Sequence, residues 1–374
     1  MYRKMQASLL VTVSLMIWVS APVLSVSAAD AGLRVPPGFR LQEIAQVPNA
    51  RSMVMGDNGT LFVSSQFVGK VHAVVDPLGE HPQVYLLDEK MRIPNGIAFA
   101  DGDLYIAEPG RVLRYPSIEA RLSDPGEPEI IVDDLPVAKQ HIWKYIAFGP
   151  DGKLYVTIGS PCNVCDEPDY GLILRMDSDG THREIIARGI RNSVGFDWQP
   201  GSGELWFTDN NRDLMGDDEP PDELNRITRP GLHFGFPFCH GVNTVEPEAE
   251  LAALGTCANS ESPVLEFPAH VAPLGMAFYQ GDMFPDAYQG QIFIAEHGSW
   301  NRSQKIGYRV SLVKLDETGQ RVVSYEPFIE GWLKDDEASG RPVDVLVAPD
   351  GSLLVSDDKE GKIFRVTYVG AVKE

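Results

Sequence analysis

Apolar residues in this chain come in short runs, each preceded by a polar turn rich in Gly and Asp, and the combination recurs six times. The units are Gly56-Asp57-Asn58-Gly59-Thr60-Leu61-Phe62-Val63, Asp101-Gly102-Asp103-Leu104-Tyr105-Ile106 and Pro150-Asp151-Gly152-Lys153-Leu154-Tyr155-Val156, followed by Gly201-Ser202-Gly203-Glu204-Leu205-Trp206-Phe207, Gln289 to Ile294, and Pro349-Asp350-Gly351-Ser352-Leu353-Leu354-Val355. Asp-Gly and Asn-Gly supply the positive φ of a tight hairpin turn, and the aromatic and branched residues after them suit a strand. A second strand signal follows each unit: Gly69 to Val74, Gly110 to Tyr115, Gly171 to Met176, Asp222 to Ile227, Tyr308 to Val313 and Gly361 to Val366. Ile130 to Val132 and Val322 to Tyr325 add further strands, while Pro247 to Leu254 suits a short helix. The anchors Leu61, Leu104, Leu154, Leu205, Ile292 and Leu353 stand 43, 50, 51, 87 and 61 residues apart. Several strands per period of roughly 40 to 50 residues predict an all-β, six-bladed β-propeller. The strand signal near Phe39 to Ile44 and the last one, ending at Tyr368, predict ring closure within one blade, which removes an exposed edge.

Composition changes the picture at the N-terminus. Arg3 and Lys4, the apolar run Leu9 to Val19 and the small residues Ser27-Ala28-Ala29 form a secretory leader over residues 1–29, too short to be read as a membrane span. Residues 30–374 then form a single propeller domain, periplasmic or secreted, with no stable membrane insertion. The formal charge is −21, and −23 once Arg3 and Lys4 are removed, which argues against nucleic acid as a partner. Four cysteines in an exported chain favour disulfides. Proximity suggests Cys162–Cys165 and Cys239–Cys257, although four cysteines allow three pairings. The long gap over residues 236–268 reads as a disulfide-pinned insertion.

Candidate chemistry falls in four clusters between strands. His141 precedes the strand Tyr145 to Phe148 and offers an imidazole as general base. Arg191-Asn192 places a planar bidentate donor beside an amide, suited to a carboxylate or quinone oxygen. The stretch Asp209 to Asn225 is rich in the carboxylate, amide and carbonyl oxygens that Ca²⁺ prefers, with Asp209, Asp222 and Glu223 as side-chain candidates; it is no EF-hand, since Leu214 stands where that loop needs glycine. The fourth cluster joins His297, Trp300 and Arg302 to Arg341, with Trp300 and Arg302 placed to stack on and pair with an anionic aromatic ligand. Taken singly, each cluster also admits a packed histidine, a surface turn or a solvated acidic loop. A propeller gathers all four around one axis.

At these residues the chain resembles the soluble quinoprotein sugar dehydrogenases, the glucose/sorbosone dehydrogenase family that uses pyrroloquinoline quinone (PQQ). The stretches that carry the likeness are His141 with Ala147 to Tyr155, Gly189-Ile190-Arg191-Asn192, Leu205 to Asn210 through Pro221 to Asn225, His233 to Pro237, Ala272 to Tyr279, and Arg341 to Asp344 before Ala348-Pro349-Asp350-Gly351. The resemblance implies PQQ over the axis of a six-bladed propeller. It makes His141 the base that takes the C1 hydroxyl proton while hydride passes to the quinone C5. Arg191 and Asn192 become cofactor contacts, with Arg191 also stabilising quinone-oxygen charge, and Arg341 meets the PQQ carboxylates. Calcium falls on the backbone carbonyls of Asn211 and Arg212. Three departures stand out: the family's Arg-x-Arg-Asp reads Arg341-Pro342-Val343-Asp344, its usual lysine is replaced by Glu296-His297-Gly298 with His297 or Arg302 as stand-ins, and its Gly-Pro calcium turn reads Asn211-Arg212.

The expected activity is therefore oxidation of an aldose sugar or sugar aldehyde, with electrons passed to an external quinone or cytochrome, since no haem motif is present. Two alternatives stay open: a calcium-dependent lactonase on a similar propeller, and a non-catalytic sugar- or protein-binding propeller.

Overall fold

The repeated Asp-Gly turns join the first and second strands of six antiparallel sheets in a computed structural model that describes residues 32–137 and 139–370. The leader reading over residues 1–29 lies outside the described residues. The apolar runs are the second strands, Leu61–Ser65, Asp103–Ala107, Leu154–Ile158, Leu205–Asp209, Ile292–Glu296 and Leu353–Asp357. All but Asp103–Ala107 are buried along their whole length. Neighbouring blades cover both faces of these strands, which is why they read as continuous apolar runs instead of alternating ones. The innermost strands are Ala50–Met55, Ile97–Ala100, Ile146–Phe148, Phe196–Trp198, Pro273–Phe278 and Pro342–Val347.

The sixth blade closes the ring. Its outer strand is Phe39–Gln46, paired antiparallel with Lys362–Tyr368 so that Phe39 faces Tyr368 and Leu41 faces Val366. Phe39 packs edge-on against Phe284, Phe328 and Tyr288 at centroid distances of 4.8, 5.1 and 5.2 Å, fastening the closing strand to the fifth blade.

The insertion at 236–268 is more structured than an extended loop. It holds a hairpin, Cys239–His240 with Thr244–Val245, one helical turn at Ala249–Ala252, and the strand Leu265–Phe267 that completes the fourth blade. Both disulfides form as proximity suggested, Cys162–Cys165 and Cys239–Cys257. Among the described residues no helix is long and apolar enough to cross a membrane.

Candidate active site

The two ends of the ring differ. One carries the Asp-Gly turns. The other carries the loops after the second strands and the crossovers between blades, and these converge on an axial cleft of about 300 Å³. His141, Arg191, Asn192, Asn211, Asp222, His297, Trp300 and Arg341 all line it. The repeat that reveals the fold therefore lies at the end of the molecule away from the cleft.

His141 stands on the crossover into the third blade in the left-handed region, φ 46°. A non-glycine residue holds that conformation only where its surroundings over-determine it, and such residues concentrate at functional sites. Its Nδ1 lies 2.8 Å from the Ser160 carbonyl, which can only accept. The proton therefore sits on Nδ1, and the Nε2 lone pair is left free. Burial, followed by the Arg191 charge, pulls the imidazole down to about 3, so the ring is neutral. A Cβ at Gly159 would come within 2.7 Å of the His141 Cβ and 3.1 Å of the Asn192 Oδ1. Gly159→Ala should displace His141, costing about 1–3 kcal/mol by the overpacking rule. Denaturant unfolding checks this, and a change below 0.5 kcal/mol would show that the loop gives way freely.

Arg191 is almost fully buried. Its Nε donates to Asn163 O (2.9 Å), Nη1 to Asn210 O (3.1 Å), and Nη2 to Asn163 Oδ1 (2.9 Å) and Asp213 Oδ2 (2.8 Å). Of five guanidinium donors, one N–H on Nη1 is left without a partner among the described residues. Across the cleft Arg341 donates only to the His297 and Gly298 carbonyls, at 3.1 and 3.2 Å, and has no carboxylate in ion-pair range among the described residues. Arg51 donates to Asn95 Oδ1 (3.1 Å) and Asp358 Oδ2 (2.9 Å). His297 Nε2 also bonds Asp358 at 3.0 Å, and burial, partly opposed by that carboxylate, brings the imidazole down to about 4. Burial alone would raise the Asp358 carboxyl, but His297 and Arg51 outweigh it and hold the group well below the usual carboxylate range. Three guanidiniums thus share the cleft with Asp213 and Asp358, the carboxylates paired with Arg191 and Arg51, in a protein whose overall charge is −21.

The floor is apolar, built from Trp143 against buried Val194, Leu274 and Val343. Phe67 and Trp300, 71% and 69% exposed, stand at the rim. Three lining side chains carry buried polar atoms with no partner: Gln66 Nε2, Trp143 Nε1 and Asn301 Oδ1. A buried polar atom left unbonded is costly, and these three belong to residues that line one cleft.

The expected metal residues divide. Asp209 stands behind the cleft lining: its Oδ2 and Oδ1 accept the Arg191 and Asn192 amides at 2.9 and 2.7 Å, so it shapes the crossover. Glu223 is likewise consumed, accepting from Asn211 Nδ2 (2.8 Å), Asn225 Nδ2 (2.8 Å) and the Gly241 amide (2.6 Å). Asp222 lines the cleft but accepts the Asn211 and Ala272 amides, and burial pushes its carboxyl up to about 7. Arg212 turns its side chain away to buried Glu246. What these bonds leave over are the backbone carbonyls of buried Asn211 and Arg212, which accept no hydrogen bond among the described residues. Arg302, expected at the cofactor, is instead anchored outside the cleft to the Asp217 and Ala269 carbonyls and Asp218.

Several lining residues went unread in the sequence: Arg51, Gln66, Trp143, His270 and Asp358. Arg51 carried a usable signal, a charged residue within the strand Ala50–Met55, since arginine is seldom buried without a purpose.

Fold and site together define a class: a six-bladed propeller with an axial cleft lined by three arginines and a neutral histidine. The chain belongs to the TrAA12-like family, whose sequence profile matches residues 174–369. It is 34% identical over 364 residues to an uncharacterized protein of Borreliella burgdorferi, covering 94% of each chain. It is 30% identical over 190 residues to the aldose sugar dehydrogenase YliI of Escherichia coli, which is 50% of this chain and 45% of that protein. The holo PQQ domain of pyranose dehydrogenase from Coprinopsis cinerea shares its fold, with a TM-score of 0.77 at 18% identity over 90% of this chain and 97% of that one.

Proposed function

We propose that this protein is a PQQ- and calcium-dependent oxidoreductase, periplasmic or secreted, that oxidises an aldose sugar or a sugar aldehyde and passes the electrons to an external quinone or cytochrome. The observation that carries the proposal is the pairing of a neutral His141, its Nε2 free among the described residues, with a cleft lined by three guanidiniums and by the unpartnered donors Gln66 Nε2 and Trp143 Nε1, a set suited to a polyanionic ligand. YliI and the pyranose dehydrogenase are both sugar oxidoreductases by name, in keeping with this reading.

The donor set fits both groups. PQQ is a flat, tricyclic tricarboxylate. The Trp143 and Leu274 floor suits its plane, Arg341 and Arg51 would hold its carboxylates, and Arg191 and Asn192 its quinone edge. The free carbonyls of Asn211 and Arg212 are the hard neutral oxygens that calcium takes. When bound, PQQ supplies the two-electron oxidant and calcium the Lewis acid that polarises it. The protein supplies the rest. His141 Nε2 accepts the proton of the substrate hydroxyl, and the Ser160 carbonyl keeps the ring in the tautomer that can do so. Arg191 presents its one uncommitted N–H where negative charge develops. The apolar floor keeps water from the reacting face.

Because the base titrates near 3, kcat/KM should show no acid limb from His141 between pH 5 and 8. A steady-state pH profile checks this, and an inflection near the ordinary histidine value would show a solvated imidazole. The overall test is titration of the purified protein with PQQ and calcium while a sugar panel reduces a dye. Absence of PQQ binding would overturn the proposal. A lactonase would need free carboxylates from several blades on the axis, whereas Asp213 and Asp358 are spent on Arg191 and Arg51.

A further inference from the structure

Arg191 is gripped from a segment that the functional reading leaves idle. Cys162–Cys165 closes a small loop on the third blade, and Asn163 sits inside it. Asn163 meets the guanidinium twice along one edge: its backbone oxygen accepts from Nε and its Oδ1 from Nη2, both at 2.9 Å. The same Oδ1 accepts the Asp213 amide at 2.8 Å, and Nδ2 donates back to the Asp213 carbonyl at 3.0 Å. Asn163 thereby locks Arg191 and the start of the acidic loop into one unit. The loop also reaches the base: the Ser160 amide donates to the Arg191 carbonyl at 2.7 Å, Ser160 Oγ to the Cys162 carbonyl at 3.2 Å, and the Ser160 carbonyl takes the His141 proton.

The chemistry of this grip is unusual. A carboxylate fork would orient the guanidinium equally well but would add a second negative charge to that of Asp213, already paired with it at 2.8 Å. Asn163 offers the same two-point geometry with neutral oxygens. Residues 161–165 are only partly buried, and a surface loop of this kind would sample many conformations unless closed covalently.

We propose that Asn163, held in place by the Cys162–Cys165 disulfide, is a positioning residue that orients Arg191 through neutral oxygens, adding no second carboxylate to Asp213, which already pairs with it. The consequence for turnover rests on the PQQ reading, whereas the effect on Arg191 itself does not. The test uses the full mature chain in three variants. The first readout needs no cofactor: hydrogen exchange at the Arg191 Nη2 hydrogens, which Asn163 Oδ1 accepts, followed by NMR with the resonances assigned through Arg191→Lys. Exchange should quicken about tenfold in Asn163→Ala and in the Cys162→Ser/Cys165→Ser double variant, the scale set by losing a hydrogen bond to a charged group. In Asn163→Asp, which keeps the oxygens on Arg191, exchange should stay at the parent rate. The second readout uses PQQ and calcium. Asn163→Ala should lose about tenfold in kcat with the sugar KM within threefold. Asn163→Asp should weaken PQQ binding about tenfold, because a new negative charge now sits against Arg191. Parent-like exchange in Asn163→Ala or in the double variant overturns the proposal, and so does equal PQQ affinity in Asn163→Asp and the parent. A parent chain that binds no PQQ overturns the functional reading alone, and the exchange rates still decide the role of Asn163.

Discussion

Replacing His141 with alanine is expected to lower kcat about a thousandfold while PQQ affinity stays within a few-fold of the parent. The magnitude follows from general base catalysis, which contributes about 10² to 10⁴. The selectivity follows from geometry: the imidazole sits at one side of the cleft on the Ser160 carbonyl, while the guanidiniums suited to cofactor carboxylates, Arg51 and Arg341, come from the first and sixth blades. Steady-state dye reduction and fluorescence titration with PQQ measure the two effects separately. A loss below tenfold would remove His141 from the base role. A parallel loss of PQQ binding would make it a cofactor contact instead.

Arg51→Met is expected to act on both stability and affinity. Arg51 and Asp358 are paired at 2.9 Å with side-chain exposures of 5% and 8%. Removing one partner leaves a buried carboxylate with only His297 to answer it, at a cost of about 3 kcal/mol. The sign of the pH dependence is fixed. Asp358 has a depressed folded value, so its contribution is fully present above the ordinary aspartate pKa and is lost as pH falls through the folded one. Without Arg51 that depression shrinks, and stability should fall less steeply below about pH 4. Adding Asp358→Leu removes the orphaned charge and should recover much of the stability. PQQ affinity should stay at least tenfold below the parent, because the cation is still missing. Denaturant unfolding across pH and PQQ titration of the two variants check this. If the double variant regained full affinity, Arg51 would be a structural pair and not a cofactor residue.

The functional residues were legible to different degrees, for physical reasons. His141, Arg191 and Arg341 announce themselves because protonatable or cationic side chains interrupt loops between apolar strands. Asp209 and Glu223 looked like metal ligands on composition. In the folded chain their oxygens satisfy buried backbone amides, a demand that appears only when a crossover loop is drawn into the interior. Arg51 and Asp358 are separated by most of the chain, and no local pattern links them. Ring closure does, because it brings the first blade against the sixth.

The alternation of Asp-Gly turns with buried strands is enough to set the class, the blade count and the closing strand, since turn chemistry and strand burial act over a few residues at a time. Which polar groups share the axis, and which of their donors remain unspent, follows from packing six sheets in a ring. There a carboxylate's role depends on what it touches across hundreds of residues. Arg191 shows the difference: its presence beside Asn192 is written in the chain, but the single N–H left without a partner among the described residues is decided by Asn163, Asn210 and Asp213 around it.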